Sequence, residues 1–259
     1  MGFFQSWRRR RTLRLTRLDP NLWLRVTSAL PFLRGLSQDE LARLRDLAVL
    51  FLAEKEMHGA HGLQLSDEAR LSIALQACLP ILNLGIEWYE GWVGVIVYPG
   101  EFRVRKEEVD EHGVVHTFDE GLSGEAWPGG PVVLSWEDAD MTQTGYNVVI
   151  HEFAHKLHML RGDDGGFPFP HPGMDASAWR GTLESAYARF GAQVDAGEPT
   201  IIDEYAAAHP AEFFAVTSEV FFTDSALLAR DYPELYAQLA QYYRQDPAGV
   251  LPAPGSGRE

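Results

Sequence analysis

His151 and His155 stand four residues apart in the run VVIHEFAHKLHML (148–160), and Glu152 directly follows the first. Residues four apart on a helix lie one above the other, so both imidazoles can aim at one point. Glu152, next along, can lean toward a molecule held there. Two imidazoles with an adjacent carboxylate suit zinc-assisted hydrolysis: the histidines hold the ion and the glutamate takes a proton from water. A shuffled chain of this composition would contain the pattern about 0.025 times, so accident is a poor explanation. The flanking NVVI and LHML are apolar, which buries the helix on most sides. An unpaired buried polar group costs about 1–3 kcal/mol, and a metal is an economical partner for several at once. The competing reading is a core helix whose histidines bond to backbone. His158 can also reach inward, and is read as a supporting or surface residue. His58, His61, His112, His116 and His171 lack ligand spacing.

A catalytic zinc site needs three protein ligands and one open position. No third histidine follows at the short metzincin spacing in HEFAHKLHMLRG, so a carboxylate from a later helix is the other solution. The best candidate is Glu212 in EYAAAHPAEFFAVTSEVFF, in the first turn of a helix opened by Pro210. Phe213, Phe214, Val216, Val220 and Phe221 surround it in sequence, and a carboxylate among them is costly unless a cation or donor meets it. A favourable helix dipole explains the position of Glu212 but not its apolar surroundings. Glu219, nearly two turns on, is either a reserve ligand or the acceptor for a ligand histidine's second N–H.

The elements that must position these groups are also readable. Residues 21–92 are predicted helical, with Ser37 and Glu40 as a capping box, Ser66 as a second cap, and Pro80 as a helix breaker. The segments VGVIVYP, FRVRKEE, GVVHTF and GPVVLSW, within 93–136, read as strands. Helices are predicted again over 144–160, 175–194, 209–222 and 232–244, with Thr144 or Gly145 starting the first and Gly162 stopping it. Helices, then a small sheet, then helices indicate an α+β fold. The expected organisation is a solvated basic tail (1–19), one domain (20–247) and a loose tail (248–259). Within the domain, 20–92 is helical, 93–136 forms the sheet and 137–247 carries the site helices. GPVVLSW, 130–136, is either an edge strand that pairs with an extended peptide or an interior strand.

The chain has 259 residues, 46% of them hydrophobic, and a net charge of −15. So acidic a chain has no general attraction for phosphates, and direct nucleic-acid binding is not expected. Its single cysteine, Cys78, excludes a thiolate zinc site and fits a reducing, cytoplasmic setting. No transmembrane segment is expected, because no run reaches about 18 apolar residues. Gly2 and Ser6 match a myristoylation pattern, read as a chance match. Arg8 to Arg11, with Arg14 and Arg17, stand out in an acidic chain; membrane-surface or acidic-partner contact is the minority reading of them.

HEFAH followed by AEFF resembles the gluzincin metallopeptidases, and within them the anthrax lethal factor-like group. CLPILNLGIEWYEGW, VIVYPGEF, GPVVLSWED, NVVIHEFAHKLHMLRGD and DEYAAAHPAEFFAVTSEVFF together resemble the Mlc titration factor A family of bacterial zinc peptidases, over roughly residues 30–247. The resemblance implies a zincin-like fold with a small mixed sheet beside the histidine helix. It implies Zn²⁺ on His151, His155 and Glu212, with Glu152 as general base. Tyr205, seven residues before the third ligand, would steady the oxyanion. A peptide substrate with aminopeptidase-like cleavage follows, as does binding of a glucose-responsive transcriptional repressor of the Mlc type. One departure is His158, where the family leads one to expect an acid. The alternative is a non-catalytic regulator that binds such a repressor on a zincin scaffold. A purely structural zinc is disfavoured by the glutamate beside a ligand histidine.

Overall fold

The computed structural model describes residues 3–109, 115–140, 146–162 and 166–249. Ser37 and Glu40 make reciprocal bonds that open helix α3 (Gln38–Glu54), and Ser66 opens α4 (Asp67–Cys78) by accepting the Ala69 N–H. Helix α4 gives way at Leu79, just before Pro80. Helix α2 (Pro20–Ala29) packs on α4, and α3 packs on it as well.

The main sheet has four strands: β1 (Glu56–Gly59), β2 (Gly94–Tyr98), β5 (Gly124–Ala126) and β6 (Val132–Ser135), in the order β1-β2-β6-β5. Strands β1 and β2, and β2 and β6, run parallel; β5 runs antiparallel to β6. Strands β3 (Phe102–Val109) and β4 (Val115–Leu122) form a separate antiparallel ribbon. Strand β6 is therefore interior. The edge beside the site is β5, which settles the alternatives left for GPVVLSW.

The site helices follow: α5 (Trp136–Asp140), α6 (Val148–Arg161), α7 (Ala176–Asp195), α8 (Pro210–Thr223), α9 (Ser225–Asp231) and α10 (Pro233–Tyr243). Helix α6 lies against α8, α4 and the sheet. Its Phe153 joins Phe51, Tyr89 and Trp92 in an edge-to-face cluster with ring centroids 5.3–6.3 Å apart. Burying each such side chain contributes about 1.5–3 kcal/mol, so the back of α6 is firmly seated. This is an α+β, zincin-like metallopeptidase fold, as the order of elements and the resemblance imply.

Several expectations change. The basic N-terminal stretch, expected as a solvated tail, includes helix α1 (Phe3–Leu15) packed on α3. The physical reason is Arg9, only 6% exposed, which bonds Glu54, Glu87 and Glu90 at 2.7–3.2 Å. The cap of α6 is Asn147, whose side chain accepts the Ile150 N–H; Thr144 and Gly145 lie outside the described residues. Gly162 ends that helix with φ 76°, a conformation glycine adopts without strain. Gly2, His112 and residues 250–259 also lie outside. No described helix is long and apolar enough to cross a membrane.

Candidate metal centre

Helix α6 presents His151 and His155 toward α8 and Glu152 toward β5. The start of α8 is fixed by His209, whose Nδ1 accepts the Ala211 N–H at 3.1 Å, and by Pro210 as the first helical residue. That places Glu212 in the first turn, facing α6. Its Oε2 lies 3.1 Å from His151 Nε2 and 3.1 Å from His155 Nε2, and the two Nε2 atoms are 3.0 Å apart. A tetrahedral ion with bonds of about 2.0–2.1 Å spaces its ligands by about 3.3 Å, so two imidazoles and a carboxylate at these separations fit Zn²⁺ in chemistry and in spacing.

Glu219, two turns along α8 and 2% exposed, takes the far side of His151. Its Oε1 is 2.6 Å from His151 Nδ1, and its Oε2 accepts the Asn147 N–H at 2.5 Å. Of the two roles left open for Glu219, the geometry gives it the acceptor's. Asn147 in turn donates to Gln76 of α4 at 2.7 Å. The aim of His151 is thus set by a buried chain of polar groups.

The electrostatics follow from this crowding. Burial pushes against protonation of His151, but Glu219 and Glu212 more than reverse it and hold the imidazole well above its ordinary range. His155 goes down, chiefly because it is buried. Burial works against ionisation of Glu212, yet both imidazoles together draw it far below the ordinary carboxylate range. Holding a cation here requires His151 to release its Nε2 proton while Nδ1 stays on Glu219.

Glu152 is 5% exposed, and its Oε2 has no hydrogen-bond partner among the described residues. Burial, reinforced by Glu212, Glu219 and Glu125 and partly offset by His151, pushes its carboxyl up to about 8. An orphaned carboxyl oxygen of this kind, bordering a cleft, is poised to exchange a proton. The cleft holds about 400 Å³ and is lined by the histidine pair, Glu152, Glu212, Tyr205, His158 and strand β5. Tyr205 sits on the turn Glu204–Ala207, 53% exposed, with its ring 6.5 Å from that of His151. His158 is buried in the cleft wall. Every site residue singled out from sequence lines this one cleft, apart from Glu219, which lies behind His151.

The family described as glucose-regulated metallo-peptidase M90 matches residues 4–244. This chain belongs to that family. Among M90-related proteins, the Mlc titration factor A of Salmonella typhi is 42% identical over 228 residues, covering 86% of both chains. Those of Salmonella agona and Salmonella typhimurium match to the same extent. The matched span begins inside α1, so the helix expected to be a tail falls within the M90 region.

Two further residues shape this M90 site. Gly124 of β5 lies so close to Glu152 that a Cβ there would come within 2.4 Å of Oε1 and 2.6 Å of Cγ. Only glycine leaves room for the carboxylate. Lys156, fully buried one turn along α6 from Glu152, donates to the carbonyls of Trp127 and Gly130 at 2.6 and 2.7 Å, in the turn joining β5 to β6. It also lies 5.0 Å over the Trp92 ring, which Lys55 approaches from 4.2 Å. Burial, with Lys55 nearby, lowers Lys156 to about 8. The lysine ties the edge strand of the cleft to the histidine helix. A glycine opening a three-residue strand gives no periodic signal, but a lysine inside an apolar helix is a visible sign of a buried acceptor.

Proposed function

We propose that the chain is a zinc-dependent peptidase in which His151, His155 and Glu212 hold the ion and Glu152 is the general base. The observation that carries this reading is the convergence of three donor atoms beside a buried, unpartnered carboxyl oxygen. Bound zinc supplies Lewis-acid chemistry, making a water acidic near neutral pH and polarising an amide carbonyl. Glu152 receives the water proton at Oε2 and passes it to the leaving amine. Glu219 keeps the His151 ring aimed. Tyr205 donates its hydroxyl to the oxygen on which negative charge develops, an interaction whose loss typically costs about 10²–10³ in rate. Strand β5 offers its outer edge to an extended peptide, with Gly124 allowing close approach to Glu152.

The test is metal analysis combined with a panel of aminoacyl and blocked peptide p-nitroanilides, with and without chelator. Glu152→Gln is expected to retain zinc and lose at least about 10³ in kcat. A variant as active as the parent removes the base assignment. Faster cleavage of free-amine substrates than of blocked ones supports an aminopeptidase; the reverse indicates internal cleavage.

A second activity is supported by the name of the relatives: binding of a Mlc-type transcriptional repressor in the cytoplasm. A strongly acidic chain suits a partner with a basic DNA-binding surface. Repressor capture unchanged in Glu152→Gln supports a binding role separable from hydrolysis; no capture by the parent rejects it.

A further inference from the structure

Helix α1 departs from an ordinary surface helix in leaving large apolar side chains on its outward side. Surface helices turn their apolar stripe inward and their charges outward. Here the side toward the protein is mixed: Leu13 packs on the core, while Arg9 meets Glu54, Glu87 and Glu90, and Gln5 donates to Glu90 at 2.7 Å. The outward side carries Phe4, Trp7 and Leu15, which are 84%, 52% and 69% exposed, interleaved with exposed Arg8, Arg11 and Arg14. Arg11 lies 5.7 Å over the Trp7 ring. Positions 4, 7, 8, 11, 14 and 15 fall on one face at helical spacing. The helix contains no acidic residue, although the chain as a whole has net charge −15.

We infer that this face of α1 docks the protein on the surface of a bilayer containing anionic phospholipids. Charge complementarity selects an anionic partner, because the arginines form a basic island on an acidic molecule. The apolar residues decide which anion. Phosphates of a nucleic acid would reward Arg8, Arg11 and Arg14 but leave Phe4 and Leu15 without a gain, while the acidic remainder repels a polyanion. A lipid interface rewards both sets: the arginines meet headgroups while the aromatic and aliphatic side chains enter the acyl boundary. The neighbouring carboxylates Glu54, Glu87 and Glu90 are already engaged by Arg9, so the ground beside the helix is partly neutralised. The docking surface is separate from the cleft, and the inference does not depend on peptidase activity.

The experiment is flotation of the full chain with vesicles of equal parts phosphatidylglycerol and phosphatidylcholine, against phosphatidylcholine alone, at low and high salt. The parent is expected to float with the anionic vesicles at low salt, to be released at high salt, and to ignore the neutral ones. Arg8→Gln, Arg11→Gln and Arg14→Gln together should weaken binding about a hundredfold, and Phe4→Ser with Trp7→Ser about tenfold or more. All five side chains are exposed, so unfolding midpoints should stay at the parental value; the arginine set serves if the aromatic pair misfolds. Absence of flotation at low salt overturns the proposal, as does equal binding by both variants. Binding of a duplex oligonucleotide through the same arginines without vesicle binding overturns it in favour of nucleic acid. A solution dimer broken by Trp7→Ser, again without vesicle binding, overturns it in favour of a second copy.

Discussion

Among the described residues, two clusters of buried charged and titratable side chains are balanced in opposite ways. Around Arg9, one guanidinium donates to three carboxylates, so positive and negative groups meet and every close approach is between donor and acceptor. Between α6 and α8, two imidazole nitrogens and a carboxylate oxygen crowd within 3.1 Å of one another, with a second carboxylate behind and a third alongside. The Arg9 cluster is complete and holds a helix down. The α6–α8 cluster gathers donor atoms that a cation would bridge. The difference separates a structural knot from a site, more sharply than burial alone does.

The strongest test of that contrast is Glu212→Ala. On the metal-centre reading it should lose zinc and at least about 10³ in peptidase rate, since two imidazoles cannot retain a catalytic ion; metal analysis after dialysis checks it, and a fully loaded variant would erase the contrast. Next is Gly124→Ala, whose new methyl would displace the Glu152 carboxylate. Displacement of a reacting group by about 1 Å can cost about 10² in rate, so kcat should fall about that much with zinc content unchanged. Glu219→Gln should weaken zinc affinity about 10–100-fold while leaving the fold intact, measured by competition with a chelator. The smallest functional effect belongs to the other cluster. Arg9→Met should leave kcat and zinc unchanged while costing about 2–3 kcal/mol of stability, reduced from the fully buried case because Glu87 and Glu90 are partly exposed. Loss of activity with an unchanged unfolding midpoint would reverse the assignment of roles.

Much of the site was legible because its signals are local. The helical spacing of His151 and His155, the proline opening α8 and the cap residues Ser37 and Ser66 each declare themselves within a few residues. Glu212 was legible because a carboxylate amid phenylalanines needs a reason. Strands β1 and β5 were not, because three or four residues carry too little alternation to be distinguished from loop. Which strand forms the edge depends on pairing between distant segments, and no local pattern encodes it. Helix α1 misled for a different reason: its arginines read as solvated, whereas Arg9 is buried by partners 45 to 81 residues away. Helix α9 was missed between the helices expected over 209–222 and 232–244, because its 7 residues are too few to show a helical period.

Glu219 touches both the backbone N–H at the cap of α6 and the ring of His151. The seating of that helix and the direction of its first imidazole are thereby one mechanical variable instead of two. Whatever ion the centre takes up will consequently tighten the amino-terminal turn of α6 as well as fill its coordination, and the same carboxylate that tunes reactivity also converts occupancy into resistance to unfolding.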